Sequence, residues 1–124
     1  MNIVLWILAF VLAAVFVGSG VVKLVVAREQ QIARTPYVED FPQAMIRGIG
    51  VLEILGAIGL LLPALVGVAT VLVPLAGAGL ALTMVFAALV HTRRGDGLAA
   101  TLPSIVLAVL SVFFAWSRFG PYPL

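Results

Sequence analysis

The chain has 124 residues, 64% of them hydrophobic and only 10% charged, against about 25% charged in a typical soluble domain, so its expected solvent is the bilayer. It has no cysteine and a single histidine, which excludes disulfides, thiolate metal sites, a thiol redox relay and a bis-histidine haem within the chain. The formal net charge of +2 is too small to point to nucleic acid, and the basic residues lie beside apolar runs, as they do at a membrane surface.

In chain order, MNIVLWILAFVLAAVF lacks the basic start of a secretory signal. Its apolar run continues to Val22, longer than the roughly 7–15 residues of a signal core. The first helix is therefore expected to be retained rather than cleaved at Gly18-Ser19-Gly20. It forms a first span over residues 3–27 and carries Lys23. Residues 28–43 are the only sizeable polar stretch. The first half of REQQIARTPYVEDFP reads either as a short interfacial helix that stops before Pro36 or as a solvated loop, and the Tyr37 and Phe41 rings suit the headgroup region. A second span covers 44–62, carries Glu53 and is closed by Pro63. A very short connection leads to a third span over 65–90, so these two make an antiparallel hairpin. HTRRGDG, residues 91–97, turns the chain into a fourth span over 98–116. Each run has the roughly 20 apolar residues needed to cross the hydrocarbon core as a helix. The expected fold is all-α, a single four-helix transmembrane bundle over residues 1–124.

Orientation follows from lysine and arginine near the span ends. Arg28, Arg34, Arg93 and Arg94 lie at one side, with Lys23 and Arg47 at the helix margins, while Arg118 stands alone at the other. This places the 28–43 and 91–97 loops in the cytoplasm and both termini outside. Trp6, Trp116, Phe119 and Tyr122 then form an aromatic girdle at the outer face.

Residues three or four apart share a helix face. Gly50, Glu53, Gly56 and Ala57 form one stripe in which a carboxylate is flanked by residues that let another helix approach closely. Gly79, Thr83 and Ala87 form a second that drifts toward His91, and Ser104, Ala108, Ser111 and Ala115 form a third. Glu53 lies about 9 Å along its helix from Arg47, and Lys23 about 7 Å back from Arg28. An acid and a base at matching depth on adjacent antiparallel helices can pair. An unpaired charge at mid-helix costs about 2.5–3.5 kcal/mol on insertion scales, so such residues read first as functional sites. The bland readings are that Lys23 snorkels to the interface, Arg47 anchors it, His91 is an ordinary interfacial histidine, and Glu53 is a structural lock. Asp96, between two glycines, reads as a turn residue pairing with Arg93 or Arg94.

Three segments resemble the DoxX-like family of small four-helix membrane proteins: GSGVVKL ending the first span, FPQAMIRGIGVLEILGAIGLLLP across the second, and VHTRRGDG after the third. They contain, in the family's order, a G-x-x-K-L element, an R-x-x-G-x-x-E element and a histidine ending span three. The resemblance implies a bundle whose first-span lysine and second-span glutamate face the interior. On this chain those are Lys23 and Glu53, with Arg47 and His91 as the further members of a ligand-binding or polar cluster. The family takes its name from a subunit associated with thiosulfate:quinone oxidation, and other members are linked to bacterial membrane redox complexes or to receptor assembly in the animal endoplasmic reticulum. Architecture therefore carries over better than activity.

The leading functional expectation is a binding or assembly protein that holds an apolar ligand (quinone, isoprenoid or lipid) or a partner's transmembrane helix around the Lys23–Glu53 cluster and assists a membrane complex. The expected partners are the lipid bilayer and either a membrane protein or a second copy of the chain, with no nucleic acid. No metal is expected. The chain has no evident cofactor ligands of its own, which leaves a bound quinone or lipid. A second reading is a membrane oxidoreductase subunit working with a quinone or a partner redox protein, Glu53 serving as general acid or base. A third is a proton-coupled small transporter.

Overall fold

The computed structural model describes all 124 residues, and every regular element is helical. In hydrocarbon each backbone N–H and C=O needs a partner within its own segment, which drives long apolar runs to helix. Four runs comply: α1 (Asn2–Val25), α3 (Gln43–Val66), α4 (Leu72–Arg94) and α5 (Leu98–Phe119). Their 22 to 24 residues give about 33–36 Å at about 1.5 Å per residue, enough to cross a hydrocarbon core of about 30 Å. All four are apolar enough to cross a membrane. Between the first two lies α2 (Arg28–Arg34), followed by a 3₁₀ turn over Pro36–Asp40. The helical alternative for the 28–34 stretch is thus the one adopted.

The helices pair as α1 with α3 and α4 with α5, contact between α3 and α4 joins the pairs, and the α1–α5 seam is the slightest. Leu5, Leu12, Phe16, Leu60, Leu80 and Phe114 fill the interior. Large side chains such as Ile7, Leu55, Leu82 and Val109 are more than half exposed on the outside, as expected where lipid tails are the solvent. Ser104, Ala108, Ser111 and Ala115 are all buried, so the fourth-span stripe does face protein.

Several boundaries differ from the sequence reading, each for a local reason. The first span ends at Val25, because Val26 and Ala27 are extended; the Gln31 side chain donates to the Val26 carbonyl at 2.6 Å and so caps the helix end. The second span does not close at Pro63. A proline removes only its own N–H from the ladder, and α3 continues to Val66 until Gly67 takes a left-handed φ of 67°. The Gly67 and Val68 amides then both donate to the Pro63 carbonyl. The third span accordingly starts at Leu72 rather than 65, with Pro74 tolerated in its first turn. It ends four residues later than expected, at Arg94, in a Schellman motif in which left-handed Gly95 donates to Thr92 and Asp96 to His91. The fourth starts at Leu98 and runs on to Phe119.

Candidate functional site

Two glycines decide where the charged side chains meet. A Cβ on Gly20 would lie 2.6 Å from the Gly50 carbonyl oxygen, and one on Gly50 would lie 2.9 Å from that of Gly20. Only hydrogen fits there, so the α1 and α3 backbones touch at this crossing. One turn further along each helix stand Lys23 and Glu53. The Lys23 ammonium lies 2.8 Å from Glu53 Oε1 and donates to Ser19 Oγ at 2.6 Å. That contact is an ion pair to Oε1 alone, and Oε2 has no partner although the residue is 0% exposed. The expected stripe divides between two neighbours: Gly50 meets α1, whereas Gly56 packs on Leu80 and Gly59 on Ala76, both of α4.

Glu53 and Lys23 border a cavity of ≈ 40 Å³. Ile49 of α3 and Thr83, Met84, Ala87 and His91 of α4 complete much of its wall, while Tyr37 and Phe41 reach it from the 28–43 segment. That segment is tied down at several points. The Arg28 guanidinium donates to the Val38 and Phe41 carbonyls and to Gln43 Oε1, and Val38 is buried. The Tyr37 ring stands edge-on to the His91 ring at 5.1 Å and close to the Phe41 ring, which in turn reaches Phe86. Burial pushes the Tyr37 phenol above its ordinary 10.0; the Lys23 charge opposes this and the Glu53 charge adds to it.

A polar tether joins this segment to the end of α4. Arg94 pairs with Asp40 on the 3₁₀ turn and with Asp96 in the following loop. His91 Nδ1 lies 2.8 Å from Asp96 Oδ2, so the imidazole donates to the carboxylate. That bond, reinforced by Arg94, holds the Asp96 carboxyl below its ordinary 3.8 against the opposing effect of desolvation. Asp96 is thus both the turn residue expected and the partner of Arg94, with His91 added.

Of the four site residues read from the sequence, Lys23, Glu53 and His91 border one cavity. Arg47 does not: it is exposed, has no hydrogen-bond or ion-pair partner, and lies outside the cavity wall. Tyr37, Phe41 and Thr83 line the same cavity, and the sequence reading does not assign them to the site. Their signal is weak, since an aromatic ring in a loop serves a headgroup region equally well and a threonine one turn from a glycine reads as packing. Arg118, read from the sequence only as an isolated outer charge, is buried. Its guanidinium donates to Asn2 Oδ1 and to the Tyr122 carbonyl, while Nε has no partner. No three histidine or carboxylate side chains converge in a metal-binding arrangement.

The model of the DoxX-like family matches residues 7–114, which takes in most of α1, all of α2, α3 and α4 with the three connections between the long helices, and most of α5. No curated protein and no solved structure matches the chain significantly.

Proposed function

The chain belongs to the DoxX-like family, and from that premise we propose that this multi-pass membrane protein binds an apolar membrane ligand — a quinone, isoprenoid or lipid — by its polar head, in the service of a membrane complex. The observation that carries the reading is Glu53: fully buried, on a cavity wall, with Oε1 held by Lys23 alone and Oε2 without a partner. Buried polar atoms are nearly always partnered, and leaving one unmet costs about 1–3 kcal/mol. A purely structural lock would have both oxygens satisfied by the protein. Here one ammonium reaches Oε1 only, Oε2 is left without a partner, and Glu53 stands on the wall of a cavity. Lys23 limits the charge penalty of burial without closing the site.

The cavity also limits what enters. Drug-sized ligands occupy about 300–1,000 Å³, so ≈ 40 Å³ takes a head group alone, with the apolar remainder elsewhere on the bundle. In this proposal Tyr37 and Phe41 cover the bound head and screen it from water, and the tendency of basic residues to stay on the cytoplasmic side supports a cytoplasmic location for the 28–43 and 91–97 loops.

Native mass spectrometry of protein extracted gently from its own membrane tests the reading, with the parent beside Glu53→Gln and beside Lys23→Met/Glu53→Leu. A small molecule retained by the parent and lost from both variants is the expected result. Recovery of a quinone would move the assignment toward the redox-subunit reading. A protein that co-purifies with all three forms equally would make the bundle an assembly factor in which Glu53 takes no part. Parent and variants equally stable and equally empty would leave Glu53 a structural lock.

A further inference from the structure

We infer that the ligand is a neutral, single-chain, long-chain alcohol, whose chain lies in the groove between α3 and α4 and whose hydroxyl passes Thr83 to donate to the Glu53 carboxylate. This rests on the reading of the cavity as a head-group site. Three outer grooves run along the bundle, of ≈ 490 Å³ between α3 and α4, ≈ 480 Å³ between α4 and α5 and ≈ 530 Å³ between α1 and α3. Size does not choose among them, but a wall shared with the polar cavity does. Thr83 lines both that cavity and the α3–α4 groove, whereas the other two grooves share no residue with it. Leu52, Leu55, Leu72 and Leu75 form much of the α3–α4 groove, and at Gly79 a Cβ would meet nothing within 4 Å, so the groove is open there.

The chemistry of the head follows from the groups that await it. Lys23 and Glu53 already offset each other at 2.8 Å, so an anionic or cationic head would bring an unbalanced charge into a low-dielectric site. The unmet group is Oε2 of that carboxylate, which accepts and cannot donate. It calls for a neutral donor, which a hydroxyl supplies and a ketone or ester head does not. A water needs about 10–15 Å³ of such space, so ≈ 40 Å³ admits a hydroxyl with its first carbon and not a ring. The Thr83 hydroxyl donates to the Gly79 carbonyl at 2.9 Å and keeps lone pairs free to accept from a passing hydroxyl.

Saturable binding of hexadecanol to the purified protein in detergent, read by native mass spectrometry, tests this against hexadecane, hexadecanoic acid and hexadecylamine. Hexadecanol is expected to bind about tenfold tighter than each of the others, and about tenfold weaker to Gly79→Leu and to Lys23→Met/Glu53→Leu than to the parent. Gly18→Leu, whose Cβ also meets nothing within 4 Å and which lies outside the groove, should bind as the parent does. Leu52→Trp blocks the groove from an exposed position should Gly79→Leu fail to fold. Loss in the double variant with full binding to both groove variants would overturn the groove and leave the head-group site standing. Preference for the acid or the amine would overturn the neutral head. Binding lost in the groove variants and kept in the double variant would overturn this inference and the head-group reading together, and absence of saturable hexadecanol binding would overturn the alcohol alone.

Discussion

Lys23 and Glu53 meet because Gly20 and Gly50, one turn before them, let two backbones touch. The pair is therefore set by residues with no chemistry of their own. Removing one member of a buried pair costs about 3–5 kcal/mol, while replacing both with apolar groups of similar volume is often neutral. Lys23→Met should accordingly lose about 3 kcal/mol of stability and Lys23→Met/Glu53→Leu should recover most of it, as read by chemical unfolding in mixed micelles. Losses that add in the double variant would mean that the two side chains do not interact. Gly20→Ala places a carbon 2.6 Å from a carbonyl oxygen and should cost about 1–3 kcal/mol through overpacking. Gly18→Ala meets nothing within 4 Å and should be neutral, or stabilising by up to about 1 kcal/mol. Equal effects at the two positions would remove the close crossing from the account. The charged pair was legible in the sequence because a buried carboxylate has few affordable solutions and a lysine stood at its depth. Gly20 was not, since a glycine's partner across a helix crossing is invisible without the register of both helices.

The 28–43 segment is stable only through what it touches. Helix α2 has seven residues, too few to hold in water unaided, so its shape comes from Arg28 bonding the 3₁₀ turn, from buried Val38 and from the Arg94 bridge. Arg94→Gln should speed amide exchange at Val38 and Phe41, which donate within the turn, and leave the global unfolding midpoint unchanged, because solvent-screened pairs act locally. Unchanged exchange there would show that the bridge holds nothing. The pH response has a definite sign. The Asp96 carboxyl is depressed in the fold below its ordinary 3.8, so its contribution is present above that value and is lost as pH falls through the lower folded value. The same two amides should keep their protection from neutral pH down to about 4 and lose part of it below. The four spans were legible because each is a long apolar run with no other use. Their ends were not: Pro63 reads as a stop, yet the helix passes it, and the signal that ends α3 is the backbone angle of Gly67. The cover over the site was equally hidden, because Tyr37 and Phe41 fit a membrane interface as well as they fit a cavity roof.

Across the whole molecule, four antiparallel passes put the 26–42 and 95–97 connections at one end and both termini at the other. Trp6 and Arg118 share a small pocket at the terminal end, and Trp116, Phe119 and Tyr122 are exposed there. Burial of Arg118 sharpens the charge asymmetry, since the one basic side chain at that end is withdrawn into the bundle while Arg28, Arg34, Arg93 and Arg94 remain by the loops. Lysine and arginine near span ends favour the cytoplasmic side, so we propose that the cover and its tether face the cytoplasm. The chain has no native cysteine, which lets single introduced thiols report sidedness without a background. Glu39 and Tyr122 are both exposed and stand at opposite ends. On intact cells a membrane-impermeant maleimide should label Tyr122→Cys and spare Glu39→Cys, and permeabilisation should expose Glu39→Cys. The reverse pattern would invert the bundle and turn the cover outward. Partial labelling of each from both sides would mean that the basic loops do not decide the topology, and that whatever enters beneath Tyr37 is met from either compartment.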